Sequence, residues 1–209
     1  MTLPQHMTDR WARRPDPQPG ERTLYWHVLM RDYPPAVEVA RQAGERLAGF
    51  TGLHLTPSQW LHMTVLVAGP ADQYTDQQMQ HMIRTAAVQL ADLPPARVSL
   101  GKILYHPEAI MLAVTPTNTL APLRTAAVNA TEQATGQDIP AEESWTPHVT
   151  LAYSTASQPA QPIIDTLGMR LPTAQVLIGT LSLVVQDGPE RTWNWSTVGT
   201  IRLAAPALA

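Results

Sequence analysis

Leu61-His62-Met63-Thr64-Val65-Leu66-Val67 and Pro147-His148-Val149-Thr150-Leu151-Ala152-Tyr153 decide the reading of this chain. Each is an apolar run with a His-x-Thr written into it. Such runs read as β-strands, in which side chains alternate faces and residues i and i+2 share one. His62 and Thr64 therefore point the same way, and so do His148 and Thr150. Met63, Val65 and Val67 point the other way, as do Val149 and Leu151, toward a core. Two polar pairs on one side of two buried strands are expected to form the halves of a single site, where two histidines suit general acid–base chemistry.

The tripeptide alone is a weak signal, because 7 His among 209 residues give it by chance about once. His6-Met7-Thr8 is a third copy. It lies in a Pro- and Arg-rich leader without a strand pattern and is set aside. The other two are each followed by aliphatic residues and fall one in each half of the folded region. Neither has a second His or a carboxylate at metal-ligand spacing, and there is no cysteine, so no metal or other cofactor is expected.

Composition narrows the function classes. The chain is long enough for one large domain or two small lobes. A lack of cysteine excludes disulfides and a thiol nucleophile. No run approaches transmembrane length and no signal-peptide pattern opens the chain, so a cytoplasmic protein without a membrane partner is expected. With 14 basic and 17 acidic residues the net charge is −3. That argues against a long nucleic-acid duplex held by backbone charge and fits a short phosphate recognised in a cleft. Every basic residue but Lys102 is arginine, the side chain suited to bidentate phosphate contact.

The remaining elements follow from periodicity and punctuation. Residues 1–22 read as a disordered tail, broken by Pro4, Pro15, Pro17, Pro19 and Gly20, and residues 23–209 as a single domain. Strands are expected at Thr23–Met30, Leu61–Ala68, Val98–Leu104, Ile110–Thr115, Pro147–Tyr153, Gln175–Val185 and Thr192–Ser196. Helices are expected at Pro34–Leu47, from Thr75 or Asp76 to Leu90, at Leu120–Thr135 and at Gln161–Leu167. The order β-α-β-α, then β-β-α-β-α-β-β, gives an α+β fold of two similar lobes, each with one motif strand. His27 on the first strand, Trp60 ahead of the first motif and Ser154, in phase with His148 and Thr150, are candidate substrate contacts. Trp60 and Trp145 could stack on a base. Tyr153, out of phase, is expected in the core.

His62-Met63-Thr64-Val65 and His148-Val149-Thr150-Leu151 resemble the two H-x-[ST] motifs of the 2H phosphoesterase superfamily. They are most similar to its branch of 2′-5′ RNA ligases and cyclic phosphodiesterases. The resemblance implies a bilobal, pseudo-twofold fold of two antiparallel sheets, with helices outside and both motifs facing one central cleft. It implies metal-independent hydrolysis of 2′,3′-cyclic phosphate termini, or handling of 2′-5′ linkages, with an RNA end or small nucleotide as partner and a monomeric protein. His62, Thr64, His148 and Thr150 would be catalytic, the two hydroxyls donating to non-bridging phosphate oxygens. By the same analogy His148 activates water and His62 serves the leaving group. One departure stands out: Tyr153-Ser154 occupies the place near the end of the second strand where related proteins often carry a basic residue. The alternative is a nucleotide- or RNA-binding module with the same cleft and little turnover.

Overall fold

The two motif strands sit in two separate antiparallel sheets in the computed structural model, which describes residues 2–14, 16–140 and 145–204. In chain order the strands are β1 (His6–Met7), β2 (Arg22–Val28), β3 (Leu53–Leu55), β4 (Met63–Pro70), β5 (Ala96–His106), β6 (Ala109–Ala113), β7 (His148–Ser154), β8 (Gln158–Pro159), β9 (Arg170–Ile178), β10 (Thr180–Asp187) and β11 (Trp195–Arg202). The helices are α1 (Pro34–Leu47), α2 (Asp76–Leu90), α3 (Ala121–Thr135) and α4 (Gln161–Leu167). One sheet runs β11-β10-β2-β4 and the other β3-β7-β6-β5-β9. The first motif strand is β4 and the second is β7.

The helices start and stop where local chemistry dictates. Pro34 and Pro35 open α1, where a missing N–H costs nothing. Its buried stripe is Ala36, Val39, Ala43 and Leu47, rotated slightly from the expected Val37, Ala40, Ala43, Gly44 and Leu47. Thr75 caps α2 in a capping box: the Gln78 N–H donates to Thr75 Oγ1 and the Thr75 N–H donates to Gln78 Oε1. Gly136 ends α3 in the left-handed conformation that glycine adopts freely. Helices α2 and α3 pack on each other and cover β11 and β4, whereas α1 packs against β9. Trp26, fully buried beneath α3, donates its indole N–H to Thr131 Oγ1 at 3.1 Å.

Two expectations fail here. The apolar run at Gln175–Val185 is two strands that part at Gly179. β9 ends in the five-stranded sheet and β10 begins in the four-stranded one, so the C-terminal hairpin β10-β11 completes the lobe of the first motif. The lobes are thus not consecutive halves of the chain. The second failure is the leader. β1 pairs with β8, Met7 is fully buried, and the Thr8 and Arg10 N–H groups donate to the carbonyls of Pro107 and Ser154. The ring of Trp11 meets His54 and Tyr153 edge-on. Met7 and Trp11 are two apolar anchors that average composition hides, and they hold residues 6–14 down. Met1 and Pro15 lie outside the described residues.

The register contains the feature that shapes the site. Across β2 and β4, His27 faces Thr64 but Trp26 faces Leu66, so Val65 is an extra residue. Across β6 and β7, Met111 faces Thr150 but Ile110 faces Ala152, so Leu151 is an extra residue. Each motif threonine is therefore followed at once by a β-bulge, and a one-residue bulge inverts the alternation beyond it. The carbonyls of the two inserted residues are satisfied from outside their sheets' ladders. Arg124 Nη1 donates to Val65 O at 2.7 Å, and the Thr56 N–H donates to Leu151 O at 2.9 Å.

Candidate active site

A cleft of about 690 Å³ is lined by His62, Thr64, His148 and Thr150 together. Its volume lies within the roughly 300–1,000 Å³ range of small-molecule sites. The bulges decide what else lines it. By register, the residue that shares Thr64's face beyond the bulge is Val67 rather than Leu66, and the one that shares Thr150's face is Tyr153 rather than Ala152. Val67 is correspondingly 52% exposed, against the expectation that it faced the core. Ser154 is fully buried, and its hydroxyl donates to Ala156 O at 3.0 Å, so it is not a cleft residue. Tyr153 takes its place.

The two histidines are held alike. His62 Nδ1 lies 2.8 Å from Trp60 O and His148 Nδ1 lies 2.8 Å from Thr146 O. A carbonyl only accepts, so each Nδ1 carries the proton and donates it, leaving Nε2 as the ring nitrogen open to chemistry. Their surroundings differ. The ring of His62 stacks on His27 with centroids 4.3 Å apart and meets Trp195 edge-on at 4.8 Å. Burial pulls His62 below the ordinary histidine range, opposed by its bond to the Trp60 carbonyl and by the charge of Glu190, while His148 across the cleft adds to the lowering. His62 therefore favours the neutral form.

His27 is only 3% exposed and is a support beneath the site rather than a substrate contact. Burial, and secondarily the charge of His62, hold it well below the ordinary histidine range. Its Nε2 lies 3.3 Å from Thr64 Oγ1, and its Nδ1 has no partner among the described residues. Placing the proton on Nε2 leaves no buried N–H orphaned. Nε2 then donates to Thr64, whose own hydroxyl is free to donate into the cleft. On the second strand Thr150 shares its face with Tyr153, whose phenol donates to Glu190 Oε1 at 2.9 Å.

Trp60, expected at the rim, contributes its backbone carbonyl to His62 and packs its ring edge-on against Trp195. Trp145 is the indole that lines the cleft. Its N–H donates to Thr64 O at 3.3 Å, and the Arg124 guanidinium lies 5.3 Å from its ring. Arg10, Tyr25 and Glu190 complete the wall. No local pattern marks Arg10 or Glu190, since both arrive from segments distant in sequence. Among the described residues no three His, Asp or Glu side chains gather as a metal site. Among those residues, no helix is long and apolar enough to cross a membrane.

The family model of the 2′-5′ RNA ligase superfamily matches residues 33–190. No curated protein matches the chain. Solved structures share its fold at low identity. TT0787 of Thermus thermophilus superposes with a TM-score of 0.64 at 16% identity, covering 88% of this chain and 99% of its own. LigT of E. coli in complex with 3′-AMP gives 0.63 at 13%, with the same coverage. The MHV ns2 PDE domain gives 0.58 at 15%, covering 78% of this chain and 99% of its own.

Proposed function

This chain belongs to the 2′-5′ RNA ligase superfamily, and from that premise we propose that it is a metal-independent phosphodiesterase working by two-histidine acid–base catalysis. Its substrates are 2′,3′-cyclic phosphate termini of RNA or nucleotides, or the related 2′-5′ linkages. The observation that carries the reading is the paired tether: both motif histidines donate Nδ1–H to the carbonyl two residues back and keep Nε2 for one shared cleft. A cleft of this volume accommodates a nucleotide, and the neighbouring LigT fold was solved with 3′-AMP.

The neutral form that His62 favours, half-buried against His27 and Trp195, supports giving it the base's part, the reverse of the order that the resemblance suggests. Its Nε2 takes a proton from water as the water oxygen bonds to phosphorus. The bond from phosphorus to O3′ breaks, and the Nε2–H of His148 protonates the departing oxygen, leaving a 2′-phosphate and a 3′-hydroxyl. Thr64 donates to a non-bridging oxygen as charge grows there. A 5′-hydroxyl in place of water would give a 2′-5′ linkage by the same step. Thr150, lining the same cleft, donates to a second non-bridging oxygen.

The test is turnover of nucleoside 2′,3′-cyclic monophosphates after EDTA treatment, with His62→Ala and His148→Ala beside the wild type. The expected result is a 2′-phosphate product and a loss of about 10²- to 10⁴-fold in either variant. Binding of these nucleotides without conversion by the wild type would replace the enzyme with a binding module.

A further inference from the structure

Residues 6–14 precede the stretch that the family model matches, yet one of them reaches the cleft. Arg10 is bidentate to Glu190, with Nε 2.9 Å from Oε2 and Nη2 3.0 Å from Oε1, and its Nη1 lies 3.3 Å from Glu108 Oε2. The guanidinium sits 4.5 Å from the centre of the Tyr153 ring. The same Glu190 accepts the Tyr153 phenol, and Tyr153 stands on the cleft face beside Thr150. A chain of contacts thus runs from the N-terminal segment to the face of the second motif: Arg10, Glu190, Tyr153. The anchoring is not accidental contact of a loose end. The Arg10 N–H donates to Ser154 O at 3.0 Å, at the end of β7 itself, and Arg14 shares Glu108 at 2.7 Å.

We propose that the N-terminal segment is a working part of the cleft and that Arg10 is a positioning residue, holding Glu190 against Tyr153 and balancing the carboxylate charge that reaches His62. A fork of two parallel N–H···O bonds fixes the carboxylate in its plane as a single ammonium would not. With Glu190 so fixed, the phenol of Tyr153 has one acceptor and keeps its place beside Thr150. Without Arg10 the carboxylate is free to turn and its charge is unopposed. The segment's Arg10 also brings a cation to the end of β7 where Tyr153 stands, without a basic residue on the strand.

The electrostatic part can be read without turnover. The charged and titratable groups around His62 are His27 from β2, His148 from β7, and Glu190 with its partners Arg10 and Tyr153; Tyr25 lies next to His27, and His106 from β5 and Arg124 from α3 line the same cleft. Of these, Arg10 and Glu190 can be changed without touching a histidine. The experiment follows the His62 ring resonance through a pH titration in the full chain, in wild type and in Arg10→Gln, Arg10→Lys, Glu190→Gln and Arg13→Gln. The last removes the same charge from an exposed position of the same segment. Arg10→Gln leaves Glu190 unopposed and raises the His62 midpoint by about half a pH unit or more, whereas Glu190→Gln lowers it. Arg10→Lys and Arg13→Gln stay near wild type. Identical midpoints in all five proteins would overturn the proposal.

The positioning part rests on the phosphodiesterase reading. On a nucleoside 2′,3′-cyclic monophosphate, Arg10→Gln lowers kcat about 10-fold or more with little change in KM, and Arg10→Lys recovers part of it. An unchanged kcat in Arg10→Gln would sink it. Should the wild type hydrolyse no cyclic phosphate, the titration still decides whether Arg10 and Glu190 act on His62.

Discussion

The strand of the first motif and the strand of the second are built to one plan and finished differently. Each ends its loop with a carbonyl that takes the Nδ1–H of the motif histidine, and each carries a bulge directly after the motif threonine. Beyond that the partners diverge. His62 is stacked on His27 and meets Trp195 edge-on, while His148 stands at the more open wall. Thr64 Oγ1 accepts a hydrogen bond from His27 Nε2, whereas Thr150 shares its face with Tyr153. Where the first strand places Val67 on the cleft, the second places Tyr153. A shared backbone device thus delivers two equivalent histidines, and the division of labour comes from what each neighbouring strand and segment packs behind them.

The largest effects should come from breaking the symmetry at the histidines. Either alanine variant is expected to lose about 10²- to 10⁴-fold in kcat. A substrate whose 3′ bridging oxygen is replaced by sulfur sharpens the comparison, because a thiolate leaves without an acid. Such a substrate should restore much of the rate of His148→Ala and little of that of His62→Ala; rescue of the opposite variant would exchange their roles.

The threonines come next. Thr64→Val removes a donor already aimed into the cleft and should cost about 10²-fold or more in kcat. Thr150→Val removes a hydroxyl that Tyr153 adjoins in place of a histidine, and a smaller loss is expected. Equal losses measured side by side would remove the distinction drawn between their surroundings.

The pH dependence separates the lobes as well. If the base is His62, kcat/KM on its acid side should fall with a midpoint below the ordinary histidine value of about 6.5. The same burial bears on stability. A histidine whose folded value is depressed takes up protons in the unfolded chain first, so His27 and His62 cost nothing above about pH 6.5 and destabilise progressively as pH falls below it. The melting temperature should drop across that window, and less steeply in His27→Gln than in wild type. A parallel fall in the two proteins would mean that His27 contributes nothing to it.

The smallest effect is expected at the paired wall positions. Tyr153→Phe keeps the ring beneath Arg10 but loses the phenol that donates to Glu190, and should lower kcat about 3-fold to 10-fold. Val67→Ala, its counterpart on the first strand, removes only apolar wall and should leave kcat within about 2-fold of wild type. Comparable losses from both would argue that the two walls do the same thing.

Much of this was legible from residue patterns. His62, Thr64, His148 and Thr150 could be paired because period-2 alternation holds up to each bulge. It failed just beyond, at Val67 and Ser154, and Tyr153, buried as expected, stands on the face of Thr150 rather than the opposite one, because a bulge is a fact about register against a partner strand and leaves no mark in the strand's own sequence. Trp60 and His27 contact His62 from behind instead of facing the cleft, since aim depends on what packs against the ring. The end of β9 and the start of β10 were merged because an apolar run does not say that its halves belong to different sheets.

Local sequence by itself determined the elements and the chemistry-bearing pairs, because backbone periodicity, capping and chain punctuation are properties of neighbours in sequence. Tertiary structure alone decided that the two pairs share one cleft, that the C-terminal hairpin completes the first lobe, and that a segment read as a loose tail brings Arg10 to Glu190 and Tyr153. Those are contacts between residues far apart along the chain, formed when apolar anchors such as Met7 and Trp11 find a surface that exists only after the sheets have assembled.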